Sequence, residues 1–235
     1  MVSYNRVHRY ERVFNGAYTG EPFSLMDVTA IKTNGLPEDV LQADSRWDDS
    51  NIGWLSILGY ENYLIDPVWD ANHSWITPLV QDESITNNLT VKESGYSDRY
   101  SFTWGMNYGH RLYLGAGLNL TNMSFRHTTS YVEYPENGGS LRNEATSQLS
   151  GVGVDVSLGL IYRPVQFLRL GASVQAPTFS QYTISNYGTM DAQMMIGSTD
   201  KTKCETPVNR SSISGFYSPV RTSVGLAFMC KNYAL

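Results

Sequence analysis

The chain has 235 residues, of which 17% are charged, with a formal net charge of −5 and a mean hydropathy of −0.29. The negative charge and the absence of a basic stripe in the sequence argue against nucleic acid as a partner. No run approaches the ~20 apolar residues of a membrane-spanning helix, which excludes insertion by helices. Two cysteines, Cys204 and Cys230, are too few for a disulfide framework, and their predicted positions, in a loop and near a strand end, do not indicate a bridge.

A two-residue alternation of apolar and small polar residues recurs in segment after segment. In one of these segments, Leu114, Leu118 and Leu120 alternate with Gly117 and Asn119. Because successive side chains of a strand point to opposite faces, each segment predicts a strand with one apolar and one polar face. This pattern is typical of a transmembrane β-barrel. We therefore predict an all-β fold, an antiparallel transmembrane barrel.

The first part of the chain combines a strand with a long loop. Residues 2–14 are predicted to form a strand that becomes polar and charged, and the loop covers 15–97. Two short helices are predicted within the loop, near 24–34 and 51–64, each ended by a proline-containing stretch. Four of the tryptophans lie in this loop. We interpret them as a small core of the loop itself, with ligand contact as the alternative.

Two β-hairpins are predicted over 98–184. In the first, strands 98–108 and 112–126 flank a three-residue turn, so that Tyr108 pairs with Leu112. In the second, strands 146–162 and 168–184 flank a turn that pairs Tyr162 with Leu168.

A long polar loop over 185–214 leads to a last strand over 215–229. With a turn-rich connection over 127–145, the connections alternate between long and short. In outer-membrane barrels the short turns are periplasmic and the long loops are extracellular. Aromatic residues beside the two short turns agree with this orientation.

About six strands are predicted, whereas small complete barrels use eight. An open strand edge in hydrocarbon leaves backbone groups unpaired, at a cost of several kcal/mol each. We therefore expect the chain to be an incomplete barrel, the partial domain 1–235. The first residues already resemble a strand and carry no signal peptide, so we also expect a truncated chain.

Several short motifs resemble those of the FadL-type outer-membrane transporters of Bacteroidetes. They are Val2-Ser3-Tyr4-Asn5-Arg6, Tyr63-Leu64-Ile65-Asp66, His110-Arg111-Leu112-Tyr113-Leu114-Gly115-Ala116, Gly159-Leu160-Ile161-Tyr162-Arg163-Pro164, Phe167-Leu168-Arg169-Leu170-Gly171, Ala176-Pro177-Thr178-Phe179 and Ser218-Pro219-Val220-Arg221. The resemblance covers most of the chain and the middle of the family's barrel. It implies a fourteen-stranded barrel with an N-terminal hatch and a kinked third strand that opens laterally, to which residues 2–14 would correspond.

By this resemblance, the protein is a monomeric barrel of the bacterial outer membrane. It would contact membrane lipid and carry hydrophobic compounds, such as long-chain fatty acids, by passive uptake. The resemblance implies neither an enzymatic activity nor a cofactor. Two alternatives from other classes remain at this stage: an outer-membrane enzyme that acts on lipid, and a soluble β-sandwich that binds sugars, since sandwich strands are also two-faced.

Two groups of residues are candidates for contact with cargo. The loop group would collect apolar molecules from water, with a helix packed on the barrel rim as the alternative; it consists of Trp54, Leu55, Leu58, Tyr63 and Leu64. The lumen group would form pairs among its own polar side chains, with a ligand carboxylate on Arg169 or Arg221 as the alternative; it consists of Asn119, Asp155, Arg169, Gln175 and Arg221. Asp155 is predicted to lie opposite Gln175. The four histidines show no metal-ligand spacing, so we expect no metal site.

Overall fold

Most of the chain belongs to one antiparallel β-sheet that curls into a half-barrel, which agrees with the all-β prediction. The computed structural model describes residues 1–193, 202–230 and 233–234. In chain order the strands are β1 (Val2–Glu21), β2 (Asp66–Pro67), β3 (Trp75–Ile76), β4 (Ile85–Tyr108), β5 (Leu112–Pro135), β6 (Ser140–Val165), β7 (Leu168–Gln175), β8 (Phe179–Gln193), β9 (Thr202–Glu205), β10 (Asn209–Tyr217), β11 (Arg221–Cys230) and β12 (Tyr233–Ala234). Among the strands of the described residues, only β2 and β3 lie outside the large sheet, and they pair with each other.

The order of the large sheet begins β1-β4-β5-β6. β6 then pairs with β8 along its first part and with β7 along its last part. On their other side, β8 pairs with β10 and β7 pairs with β11. β7 and β8 therefore act as one interrupted strand, and so do β10 and β11. Counted in this way, the sheet has six long strands, as the sequence predicts, with the short β9 and β12 added.

The first tight turn has the predicted register and the second does not. Tyr108 pairs with Leu112, and Gly109 and His110 both adopt positive φ, near 58° and 57°. Such left-handed residues let a three-residue loop close a hairpin. In the second hairpin, Tyr162 pairs with Leu170 rather than Leu168, because β6 continues to Val165 through a register irregularity.

The strands extend far beyond their predicted ends. β4 and β5 pair without a register shift along 24 residues each. The predicted loop 127–145 is therefore mostly strand around a turn at 136–139, so the predicted alternation of long and short connections is wrong here. β4 likewise occupies the end of the predicted loop 15–97, and β8 continues into 185–214. Alternation misses these stretches because both of their faces are polar, as in His127-Thr128-Thr129-Ser130.

A helical segment, residues 22–84, connects β1 to β4. It contains α1 (Leu25–Thr33), α2 (Glu38–Gln42) and α3 (Trp54–Glu61). α1 matches the helix predicted near 24–34, α3 is shorter than the predicted 51–64, and α2 was not predicted. None of the helices in the described part of the chain is long and apolar enough to cross a membrane.

The start of α1 is held by a capping box and by a carboxylate of the sheet. Ser24 Oγ accepts a hydrogen bond from Met26 N, and Asp27 accepts one from Ser24 N. Glu133, on β5, is fully buried and accepts hydrogen bonds from Ser24 Oγ at 2.6 Å and Leu25 N at 2.7 Å. Tyr131 also donates to Glu133, and burial together with this hydrogen bond raises the pKa of Tyr131. A carboxylate at this helix terminus is stabilised by the helix dipole.

Two apolar clusters stabilise the helical segment. The first joins it to the sheet, because Met26, Leu58 and Leu64 pack with Leu141 and Met190 of the strands. The second lies within the segment; it consists of Ala30, Leu41, Ile52, Ile57, Ile65 and Trp75. Trp47 packs against both clusters. The predicted tryptophan core is therefore confirmed for Trp75 and Trp47, whereas Trp69 is 90% exposed.

We predict that Glu133→Ala weakens the docking of the helical segment. The change leaves two hydroxyls and one backbone N–H without their buried acceptor, which should lower the free energy of unfolding by about 2–4 kcal/mol. Urea-induced unfolding followed by tryptophan fluorescence measures this loss, since four of the five tryptophans lie in the segment. Glu144→Ala, on the opposite face of β6, is the control and should change stability little. Equal stability of both variants would contradict this role of Glu133.

Candidate functional site

One face of the large sheet carries a continuous apolar surface. On β5 the even-numbered residues from Leu112 to Leu120 point to this side, which we call the apolar face, and the odd-numbered residues point to the polar face. Large side chains of the apolar face are exposed by more than a third at Phe102, Trp104, Met106, Tyr108, Leu118, Leu120, Val152, Val154, Val156, Leu158, Leu160, Tyr162, Leu170, Val174, Val224, Leu226 and Phe228. In the described part of the chain, no helix or second sheet covers them.

The apolar surface is a band that ends at one level on neighbouring strands. Beyond Leu120 the same face of β5 continues with Asn122, Ser124 and Arg126. On β6 the change comes two residues further out, since Val152, opposite Asn122, is followed outward on the same face by Ser150. Because the polarity changes within two residues of the same level on both strands, the whole band faces one environment.

Aromatic side chains lie at both ends of the band. Tyr108 and Tyr162 lie beside the tight turns, as the sequence indicates. At the other end, Tyr4 and Tyr100 have ring centroids 5.3 Å apart, and Phe179 and Tyr217 form a second pair at 5.5 Å. This second group was missed from sequence because the pairs join distant segments of chain.

The polar face carries a hydrogen-bonded cluster around Asp155. This side chain is fully buried, and its two oxygens accept hydrogen bonds from four groups. The donors are Arg99 at 3.1 Å, Asn119 at 2.7 Å, Gln175 at 2.9 Å and Thr178 at 3.2 Å. Four donors satisfy the carboxylate, so burial of its charge is compensated.

The cluster confirms some of the predicted polar contacts and corrects others. Asp155 contacts Gln175, although Gln175 pairs directly with Ser157 rather than with Asp155. Arg169 and Arg221 are exposed, and within the described residues neither donates a hydrogen bond to Asp155. The cation of the cluster is Arg99, which sequence reasoning missed because it lies two strands away. Odd-numbered residues of β4 point to the polar face, and this position of Arg99 is the signal that could have indicated it.

A paired interruption of two strands lies beside Asp155. Ser157 of β6 pairs with Gln175, and Val154 pairs with Phe179. Between these two pairs β6 advances three residues and its partner four, so the partner contains one extra residue. Such a bulge turns the following side chains to the other face. The neighbouring strand has the same interruption, because Gln175 pairs with Arg221 and Phe179 with Tyr217.

Two prolines occupy this interruption. Counting from the flanking pairs places Pro177 opposite Pro219, and neither residue has a backbone N–H to donate. Beside them, Thr178 N donates to Ser218 Oγ at 2.9 Å, and Ser218 N donates to Thr178 O at 3.2 Å. A side chain thus replaces one backbone acceptor of the ladder at this point.

The predicted loop residues lie in two different environments. Leu58 and Leu64 are buried in the cluster against the sheet, and Leu55 packs on it. For these three residues the structure shows the alternative interpretation, a helix packed on the sheet. Tyr63, at φ 56°, is 72% exposed, and Trp54 is 44% exposed beside Gly188 of β8. These five residues therefore do not form one apolar surface.

The described residues contain no group of three or more His, Cys, Asp or Glu side chains that could hold a metal ion. At the level of the apolar band, the polar face carries the buried charge of Asp155 with its four donors. Its geometry can position charges and small polar groups along the face.

We predict that Asp155→Ala destabilises the sheet. The change removes the shared acceptor of four donors and leaves the Arg99 guanidinium without its partner, at a cost of about 2–4 kcal/mol. Urea-induced unfolding followed by far-ultraviolet circular dichroism measures the effect on the strands. Asp191→Ala, a carboxylate on β8 away from the cluster, is the matched control. A loss no larger than that of the control would show that the cluster does not stabilise the sheet.

No protein-family model, no curated protein and no solved structure matches the chain.

Proposed function

We propose that this chain forms part of the wall of a bacterial outer-membrane β-barrel, of the FadL type, for passive uptake of hydrophobic compounds such as long-chain fatty acids. The observation that carries the proposal is the uncovered apolar band of the sheet. In this arrangement the band faces lipid, the polar face lines the lumen, and the tight turns after Tyr108 and Val165 are periplasmic.

The height of the band supports this proposal. It covers eight residue steps from Leu112 to Leu120 and ten from Val152 to Tyr162, or about 27–34 Å along the strands. At the strand tilt of roughly 35–45° found in barrels, this becomes about 19–28 Å along the membrane normal. Transmembrane barrels have an apolar band about 25 Å tall between two aromatic girdles. The aromatic groups at both ends of the band correspond to such girdles.

The exposure of the band argues against a soluble sandwich. Val224 is 88% exposed, and Val154 and Leu170 are more than a third exposed. In a sandwich these side chains would pack against a second sheet, about 10 Å away. Exposing a surface this large to water costs free energy at about 25 cal/mol per Å². Lipid contact removes this cost without a second sheet.

The strand count supports a larger assembly of strands. Six strands cannot enclose a lumen, and β1 pairs on only one side within the described ranges. An unpaired edge in hydrocarbon costs several kcal/mol per backbone group. We therefore include further strands, from outside the described residues, in the proposed barrel.

The cargo class is suggested by the sequence resemblance, and the fold is compatible with it. An apolar solute gains nothing from an aqueous pore alone, so it must first be collected from water by an apolar surface. The exposed part of the helical segment, at the end of the sheet opposite the tight turns, lies where an extracellular collecting surface would be needed. This includes Trp69 and Tyr63.

Leu158→Arg tests contact with lipid. Leu158 lies near the middle of the band and is 54% exposed, so an arginine there costs little in water but about 2–4 kcal/mol at the bilayer midplane. When the full-length gene product carries this substitution, we expect much less of it in the washed membrane fraction.

Ser157→Arg is the matched control, because Ser157 precedes Leu158 and points to the polar face. We expect this variant to remain in the membrane. Recovery of the unsubstituted protein in the soluble fraction without detergent, or normal insertion of Leu158→Arg, would contradict the proposed location.

Uptake of radiolabelled oleate by cells with and without the gene tests the cargo. We expect deletion to reduce uptake severalfold, while glucose uptake, as a control, stays the same. An esterase assay on the same membranes distinguishes uptake from lipid hydrolysis. Unchanged oleate uptake after deletion would contradict transport of fatty acids.

A further inference from the structure

A cleft lies where the helical segment meets the polar face. It has a volume of about 800 Å³, within the range of small-molecule sites, and opens to solvent. Three parts of the chain that are distant in sequence form it: the stretch before and at the start of α3, the polar face of β5, β6 and β8, and the residues that lead into β10. Leu58 and Leu64 lie in the buried cluster and do not line it.

The cleft combines aromatic rings with hydrogen-bonding side chains. Trp47 and Trp54 supply the rings. Asp48, Asn186 and Asn209 are polar lining residues with exposed side chains. Most of the other lining residues are also polar, so hydrogen-bond partners surround the two rings. The carboxylates of Asp48 and Asp49 line the same cleft, which disfavours an anionic ligand.

Trp54 is held in place by a close approach to the backbone of β8. Its ring lies over Gly188, where a Cβ atom would overlap the ring. One side of the ring is thus fixed against the strand, while 44% of the residue remains exposed toward solvent. A ring held in this way offers a preformed stacking surface at little entropic cost.

We propose that this cleft binds a neutral saccharide. Sugar rings have an apolar C–H face that packs on aromatic rings and a rim of hydroxyls that donate and accept hydrogen bonds. The two rings and the amide and carboxylate groups match these two features. The inference goes beyond the proposed transport of hydrophobic compounds and does not depend on it.

The test is a titration of the folded full chain with four neutral hexasaccharides, built from glucose, mannose, galactose and N-acetylglucosamine. Binding is followed by tryptophan fluorescence and by calorimetry. We expect at least one hexasaccharide to bind saturably. Oleate is titrated alongside.

Gly188→Ala should weaken saccharide binding about tenfold, because the new methyl displaces Trp54 from its position. Gly225→Ala is the matched control: it adds the same methyl to a strand glycine that has no atom within 4 Å of the new Cβ. This control should bind like the unsubstituted chain. If Gly188→Ala undocks the helical segment, as judged by protease sensitivity, the doubly substituted Asn186→Ala, Asn209→Ala variant decides instead. Both positions are exposed and contribute little to folding.

Three outcomes would overturn the proposal. The first is saturation with none of the four hexasaccharides. The second is saturation with oleate alone, which would assign the cleft to hydrophobic cargo. The third is saccharide binding that neither Gly188→Ala nor the double variant weakens. A soluble protein that binds a hexasaccharide would refute the proposed membrane location but support this site, so the two failures are distinguishable.

Discussion

The unbroken ladder between β4 and β5 is the constraint on which the two faces depend. Its register stays constant along both strands, so every second side chain remains on the same side from the tight turn to the far end. A slip of one residue would move Leu118 and Leu120 to the polar face and Asn119 to the apolar one. The hairpin turn sets this register at Tyr108 and Leu112. The band, its aromatic ends and the Asp155 cluster all follow from that single alignment.

The same ladder also positions the helical segment. Glu133 lies near the far end of β5, and its carboxylate replaces water for two groups at the start of α1 and for Tyr131. Apolar packing of Met26 and Leu58 on Leu141 then excludes solvent from the junction. Because Glu133 is fully buried, the contact requires all three donors together. The parts of the strands beyond the apolar band, on the side away from the tight turns, therefore support the helical segment and its cleft.

Sequence reasoning succeeds where one face is apolar and fails where both are polar. The strands around Leu114, Val156 and Leu170 could be predicted from alternation, and α1 from the proline-containing stretch that ends it. The polar halves of β4 and β5 lack that contrast, and their pairing comes from long-range ladder formation. The contact of Arg99 with Asp155 and the aromatic pairs at the end of the band away from the tight turns join residues that are distant in sequence. Spacing along the chain does not indicate such contacts. The cleft has the same origin, since Trp54 and Gly188 are brought together by folding.

The facing prolines have a consequence for how the sequence can change. The strand of Pro177 has one residue more than β6 across the interruption. The strand of Pro219 has the same number of residues there as the strand of Pro177, so the ladder between these two strands is preserved. Loss of one residue from the strand of Pro177 alone would remove the bulge against β6, but it would disrupt the alignment with the strand of Pro219. Changes of length at these two places are therefore coupled, and related chains should gain or lose residues there in concert.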